Sequence, residues 1–231
     1  MRLTFPRPRI PQLARYLAGI TVVSVAAALG IRSGVGAAPY DALLATISEI
    51  SGASFWLSAW GLQGVWITLI LGMRGRFDLG TVFHSLSFGP IMSATLALVP
   101  PAGDVWLSLL YLAVAVGGIA FGLWLYLGAG FVAGTIDTLF ETVSARRRWR
   151  PATVRTTFDV TCCAVAWLGS GPVGVGTVVI ALGVGPLLAA MDSGLARPGS
   201  WRGVPLGRRG RVPALTLDLV DTTEYPVLPR A

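Results

Sequence analysis

GTVFHSLSFGP, at residues 80–90, returns as GTVVIALGVGP at residues 176–186, 96 positions further along the chain. The same shift, without a gap, places GVGAAPYDALLATIS at residues 34–48 on GFVAGTIDTLFETVS at residues 130–144. The matches include Asp, Thr and Pro as well as the common Gly and Leu, which disfavours a chance register. The sequence therefore predicts two copies of one structural unit.

Apolar runs surround both motifs. Hydrophobic residues make up 54% of the 231 residues and the mean hydropathy is +0.69. Charged residues make up only 13%, about half of the roughly 25% usual in soluble domains. The runs are about 17–25 residues long, enough to cross a hydrocarbon core about 30 Å thick. The predicted fold is an all-α bundle of six membrane spans, at residues 13–30, 54–73, 79–99, 105–127, 152–169 and 173–191.

Each unit also contains a short amphipathic stretch after its first span, at residues 41–51 and 137–145. These stretches are too short to cross the membrane, so each predicts a broken or re-entrant helix, or a helix lying on the membrane surface. A glycine-rich segment precedes each stretch. It predicts a turn, because glycine allows backbone conformations that other residues avoid. The turn residues are Gly34, Gly36 and Pro39 in the first unit and Gly130 in the second.

The arginines indicate how the two units are oriented. The units occupy residues 13–99 and 105–191, between an N-terminal segment at 1–12 and an Arg-rich, loosely structured tail at 192–231. Each unit has an odd number of spans, so the second copy must be inverted. All 18 basic residues are arginine, and 17 of them fall on the side of the N-terminus, with only Arg32 opposite. Because positive charge collects inside, both termini should be cytoplasmic in a multi-pass inner-membrane protein.

Several motifs resemble those of a known family. They are Gly34-x-Gly36-x2-Pro39-Tyr40-Asp41, Gly80-Thr81, Gly89-Pro90, Arg155-Thr156-x2-Asp159 and Gly174-Val175-Gly176-Thr177 with Gly185-Pro186. With these motifs the chain resembles the YczE/YitT/YyaS group of bacterial membrane proteins, and YczE most, over roughly residues 15–192. Tyr40 stands where the group is expected to have Trp, and Asp159 where Glu is expected. The resemblance implies a bacterial inner-membrane protein and suggests transport, but it gives no substrate.

Asp159 and Gln63 are the leading candidates for a binding site. Asp159 lies about seven residues into the fifth span, where a carboxylate is costly and usually faces the bundle or a watery path. Arg155 precedes it by one turn, so a structural ion pair and a role in binding a proton or substrate both remain open. Gln63 is its equivalent in the first unit. Two polar side chains at one depth indicate a pseudo-symmetric site near the membrane midplane.

Asp41, Asp137 and His84 are further candidates. Asp41 and Asp137 each follow a glycine-rich turn and open a short helix, so each could cap that helix, bind a cation or proton, or do both. His84 is the only histidine, near the start of the third span. It could titrate near neutral pH or form a hydrogen-bonded helix contact. One histidine without nearby ligands predicts no metal site.

Two prolines occupy matching positions in the third and sixth spans. Pro90 follows Gly89, and Pro186 follows Gly185. Proline removes a helical hydrogen bond, so matched kinks are expected, with freed carbonyl groups that could line a cavity.

The motif search favours transport over catalysis. The chain contains no G-x-S-x-G, Walker A or H-E-x-x-H motif, so we expect no enzyme, catalytic residue or cofactor. The leading hypothesis is a secondary transporter or exporter of a small, unidentified solute. The alternative is a non-transporting accessory protein that supports a partner enzyme or complex. The expected partners are the lipid bilayer and anionic lipid at the arginine clusters, with no nucleic acid, and a homodimer is left open.

Overall fold

The described part of the chain is entirely helical. The computed structural model describes residues 10–73, 75, 79–129 and 134–195, except the side chains of residues 79 and 192–195. Its helices are α1 (Ile10–Arg32), α2 (Pro39–Ser51), α3 (Phe55–Gly72), α4 (Leu79–Leu98), α5 (Val105–Leu127), α6 (Thr135–Arg147), α7 (Pro151–Leu168) and α8 (Val175–Leu195). These residues include no strand, so the predicted all-α class is confirmed.

Some of the predicted features fall outside the described residues. They are the N-terminal segment up to residue 9, Arg74 and Arg76 of the loop after α3, the turn residue Gly130 and the tail from residue 196.

Among the described helices, four are long and apolar enough to cross a membrane. They are α1, α3, α4 from Gly80 to Leu98, and α5. In α8 the apolar stretch Val175–Met191 is shorter. Helix α7 contains Arg155, Asp159 and several threonines, which make its composition less apolar. A helix therefore covers each of the six predicted spans, and four of these helices have both the length and the composition of a membrane span.

The short helices α2 and α6 have 13 residues each and begin two residues before the predicted starts. Pro39 is the first residue of α2, because its fixed φ suits the first helical turn and its missing N–H is not needed there. In the preceding turn, Gly34 has a φ of 72° and Gly36 a φ of 130°. A Cβ at Gly36 would lie 2.7 Å from the backbone nitrogen of Thr177, so this turn requires glycine for its conformation and its space.

Helices α1 and α5 pack against each other in antiparallel directions. A Cβ on Gly19 would lie 2.6 Å from the backbone nitrogen of Tyr126, and one on Gly122 would lie 2.9 Å from the Gly19 carbonyl. Further along α1, Gly30 faces Ala115. Residue numbers rise on one helix as they fall on the other. Small residues permit this close backbone approach, which stabilises helix pairs in membranes.

The short helices each pack on a helix of the other unit. Helix α2 packs on α7, and α6 packs on α3. Thr46 of α2 contacts Gly171 after α7, and Thr142 of α6 contacts Gly75 after α3. Each residue of the first contact lies 96 positions from its counterpart in the second. Within each unit the packing is also matched: α4 packs on α1, and α8 packs on α5. The two units are therefore interlocked by matched contacts.

The last two helices of each unit differ in their packing. Helix α3 lies directly on α4: a Cβ on Gly89 would be 2.6 Å from that of Ala59, and the Trp60 indole nitrogen donates to the Leu86 carbonyl at 3.4 Å. The matching glycine on α8, Gly185, has no described atom within 4 Å of a Cβ. Among the described helices, α7 and α8 make at most marginal contact. We therefore call the tightly packed α3–α4 pair closed and the separated α7–α8 pair open.

Candidate functional site

A chain of aromatic rings runs through the interior and connects helices of both units. The neighbouring ring centroids are 5.9 Å apart for Tyr126 and His84, 5.5 Å for His84 and Phe88, 6.4 Å for Phe88 and Tyr40, 6.4 Å for Tyr40 and Phe158, 5.4 Å for Trp66 and Phe158, and 5.1 Å for Phe140 and Phe158. Phe158 of α7 therefore touches rings from α2, α3 and α6. We call Tyr40, Trp66, Phe140 and Phe158 the aromatic cluster.

Buried polar atoms without partners lie beside these rings. Gln63 is 2% exposed, and neither its amide oxygen nor its amide nitrogen has a hydrogen-bond partner among the described residues. The same holds for the Tyr40 hydroxyl, the Trp66 indole nitrogen and His84 Nδ1. The Tyr40 hydroxyl lies near the Trp66 indole, but their geometry falls short of a hydrogen bond. Such groups are costly to bury, so this interior suits a bound polar molecule.

Asp41 lies at the edge of the aromatic cluster, and its predicted capping role is wrong. Helix α2 begins at Pro39, so the N-cap is Ala38, with no side-chain cap, and Asp41 is the third helical residue. Its side chain is 5% exposed and lies within electrostatic reach of the Cys162 thiol on α7. No described side chain forms an ion pair with it. The carboxylate is therefore buried without a described counter-charge.

Asp137 is also the third residue of its helix, so its predicted N-cap role is wrong as well. The N-cap of α6 is Gly134. The Tyr126 hydroxyl donates to Asp137 Oδ2 at 2.8 Å, and the charge of Asp137 reaches His84. The His84 ring covers Gly134, where a Cβ would lie 3.1 Å from Nε2. His84 thus packs against the residue that precedes α6, while its ring stacks on Phe88 of its own helix.

Asp159 and Gln63 occupy different environments despite their matching positions. Asp159 pairs with Arg155 at 3.8 Å, and the two side chains are 32% and 58% exposed. Of the two alternatives for Asp159 and Arg155, a structural ion pair and a role in binding, this geometry favours the structural ion pair. Gln63, by contrast, lies on the closed side of the molecule. The difference follows from the packing, because α4 covers α3 whereas α8 leaves α7 open.

The glycine–proline pairs show the same asymmetry. Gly89 is buried against Ala59, whereas Gly185 and Pro186 are exposed. Helices α4 and α8 continue through Pro90 and Pro186, respectively.

Sequence reasoning missed most of the aromatic cluster. Tyr40 stood at a defined position of a quoted motif. Phe140 lies within the second repeated stretch and Phe158 at a variable position of the Arg155–Asp159 motif, so neither was singled out, and Trp66 belongs to no motif. Aromatic residues are common in membrane helices. Trp66 follows Gln63 by three residues, so both lie on one face of α3. This three-residue spacing was the signal in the sequence that could have linked Trp66 to the candidate site. Among the described residues, no three His, Cys, Asp or Glu side chains gather as metal ligands would.

The apolar helices and the buried polar interior define a helical membrane protein. The chain belongs to a family described as of unknown function, DUF6198, which matches residues 10–193. It is 24% identical over 179 residues to the uncharacterized membrane protein YczE of Bacillus subtilis, covering 75% of this chain and 81% of that protein. It is 25% identical over 186 residues to an uncharacterized protein of Haemophilus influenzae, covering 78% and 83%, respectively. No solved structure matches. The predicted resemblance to YczE is thereby confirmed.

Proposed function

We propose that this protein is a secondary transporter or exporter of a small solute across the bacterial inner membrane. The observation that carries this proposal is the Gln63 amide, which is 2% exposed and has no described hydrogen-bond partner. It lies beside Trp66, whose ring contacts Phe158 of the other unit. A buried polar group at the junction of two related halves is the arrangement expected of a solute site. No catalytic step or cofactor is part of the proposed function.

The proposed architecture is an inverted repeat of three spans and one short helix. Three observations support it. Helices α2 and α3 begin at Pro39 and Phe55, 96 positions before α6 and α7 at Thr135 and Pro151. The contacts of Thr46 and Thr142 are exchanged between the halves, as a two-fold axis requires. The equivalent helices α1 and α5 run antiparallel, which is the direction change that an inverted copy needs.

The unequal packing of the halves supports an alternating-access mechanism. Helix α4 covers α3 around Gly89, whereas α8 leaves α7 uncovered around Gly185. In the second state α8 would close on α7 and cover Asp159, and α4 would separate from α3 and expose Gln63. The matched polar positions would then take turns facing the outside. Such exchange of conformations between inverted halves is how many secondary transporters move a site from one side to the other.

The proposed orientation places both termini in the cytoplasm. A phosphatase reporter that is active only outside the cytoplasm should be active when inserted after Gly103 and inactive when inserted after Trp149. The physical reason is that the segment before α7 has Arg146, Arg147, Arg148 and Arg150, whereas Arg32 alone lies opposite. A green fluorescent protein at the C-terminus serves as the control and should fluoresce. The reverse pattern of activity would contradict the orientation.

Replacing Gln63 with leucine should separate stability from transport. Leucine has a similar volume and leaves no polar atom unpartnered, so the variant should be more stable by about 1 kcal/mol or more. Transport should fall at least tenfold, because the solute loses its amide partner. Uptake and efflux in membrane vesicles, with and without a proton gradient and across a panel of labelled cations, sugars and amino acids, measure the second effect.

Thr68→Val is the matched control on the same helix. Its hydroxyl is exposed and bonds only the Gly64 carbonyl at 2.8 Å, so neither stability nor transport should change. Wild-type vesicles that move nothing in the panel, or full transport by Gln63→Leu, would remove the support for a transporter.

A failed transport assay would favour the accessory role. One surface feature suits that role: Trp149 is 52% exposed and stands between the exposed Arg148 and Arg150, just after α6. Arginine and tryptophan together suit the interface of an anionic membrane, where each arginine contributes about 1 kcal/mol. Anionic lipid, or a partner held at that surface, would then be the binding target.

A further inference from the structure

The described interior contains carboxylates but no arginine to neutralise Asp41. Arg15 donates to the Leu125 carbonyl at 3.0 Å and covers Trp124 at the end of α5. Arg32 donates to the Leu96 carbonyl at the end of α4. Arg155 pairs with Asp159 at the open side. The described arginine side chains are therefore engaged elsewhere or exposed, and the field around Asp41 favours positive charge.

The rings next to Asp41 could hold the body of such a cation. Tyr40 and Phe158 are stacked at an interplanar angle of 25°, and Trp66 and Phe140 each meet Phe158 edge-on. Aromatic faces attract cations through their electron-rich centres, and tryptophan and tyrosine do so more strongly than phenylalanine. A cation with apolar groups would also bury those groups here.

The carboxylate, the rings and the amide border one region. Phe158 and Cys162 lie about one turn apart on the same face of α7, about 6 Å along the helix. Asp41 lies within electrostatic reach of the Cys162 thiol and of the Tyr40 hydroxyl, and the aromatic cluster surrounds Phe158. On α3, Gln63 precedes Trp66 by three residues, so its unpartnered amide lies on the same face of the helix as the Trp66 ring. The faces of α3 and α7 that carry these groups meet at the contact between Trp66 and Phe158.

We propose that the solute is an organic cation: an ammonium or phosphonium centre with an apolar or aromatic body. Its charge lies beside the Asp41 carboxylate, its body packs on Tyr40, Trp66 and Phe158, and the Gln63 amide bonds a polar group of the solute or its remaining water. This assignment rests on the proposed transport function and specifies the substrate class of the same site.

Binding of radiolabelled tetraphenylphosphonium to the purified full-length protein in detergent tests the assignment. Wild type should bind it saturably, and the neutral triphenylphosphine oxide should not displace it. Asp41→Asn should weaken binding at least tenfold, because the positive charge loses its carboxylate. Glu49→Gln should stay within threefold of wild type, since Glu49 is an exposed carboxylate near the other end of the same helix, α2.

Trp66→Leu provides a second variant in case Asp41→Asn does not fold, and it should also weaken binding at least tenfold. Absence of saturable binding, equal displacement by the neutral compound, or unchanged binding in the two site variants would overturn the cation assignment. Vesicles that transport other solutes would then leave the transporter intact. Binding with the expected variant effects, but without any vesicle transport, would instead retain the site and contradict the transporter.

Discussion

Gly122→Leu is expected to prevent the protein from folding into a single compact species. A Cβ at Gly122 would lie 2.8 Å from the backbone nitrogen of Val23 and 2.9 Å from the Gly19 carbonyl, so even one added carbon requires backbone movement. Leucine adds three more. Overpacking of a well-packed core typically costs about 1–3 kcal/mol, and the cost rises where a backbone rather than a side chain must move.

Size-exclusion chromatography of a fluorescent fusion in detergent measures this effect. The monodisperse peak of Gly122→Leu should fall at least tenfold below wild type. Gly117→Leu is the matched control on the same helix, since no described atom lies within 4 Å of a Cβ there, and its peak should stay within twofold. An unchanged peak for Gly122→Leu would mean that α1 and α5 do not approach as closely as described. Equal loss in both variants would point to a general intolerance of leucine in α5.

The sequence predicts the helices well because apolar run length and the 96-residue register are properties of the chain itself. The positions of Pro39 and Gly36 also follow from local chemistry. The predicted capping by Asp41 fails because Pro39 starts α2 two residues earlier. Sequence alone could not place Gly122 against Val23, because such contacts depend on how two distant helices cross.

The candidate site is predictable only in part, and for a different reason. Gln63 and Asp159 match in sequence, but their burial depends on whether α4 or α8 lies over them. The 96-residue repeat shows that the two positions correspond in sequence. It does not show whether each side chain is buried or exposed in the folded protein. Trp66 and Phe158 come together only when the units interlock. The sequence therefore locates the polar positions, and the packing decides which of them is buried.

Under the proposed alternating-access mechanism, a reducible cross-link that holds α3 on α4 should abolish transport, because the proposed second state requires these helices to separate. Cysteines at Trp60 and Leu86 provide the pair, since the Trp60 indole already donates to the Leu86 carbonyl. Both native cysteines, Cys162 and Cys163, are first replaced by alanine. A bis-methanethiosulfonate reagent should link the pair in most molecules and lower vesicle uptake at least tenfold, and reduction should restore it.

The matching pair on the open side, Thr156→Cys with Leu182→Cys, distinguishes alternation from simple damage. Leu182 is 71% exposed and Thr156 is exposed on α7, so this pair should link slowly, and only while α8 closes on α7. In a variant that carries all four cysteines, the cross-link between positions 60 and 86 should suppress the cross-link between positions 156 and 182. The reason is that the two halves cannot both be closed if they exchange conformations. Equal and independent linking of the two pairs, or full transport by the linked 60–86 protein, would contradict the mechanism.

Single-cysteine variants treated with the same reagent control for modification alone. Suppression combined with reversible loss of uptake would tie the difference between the halves to transport, because a static asymmetry predicts neither effect.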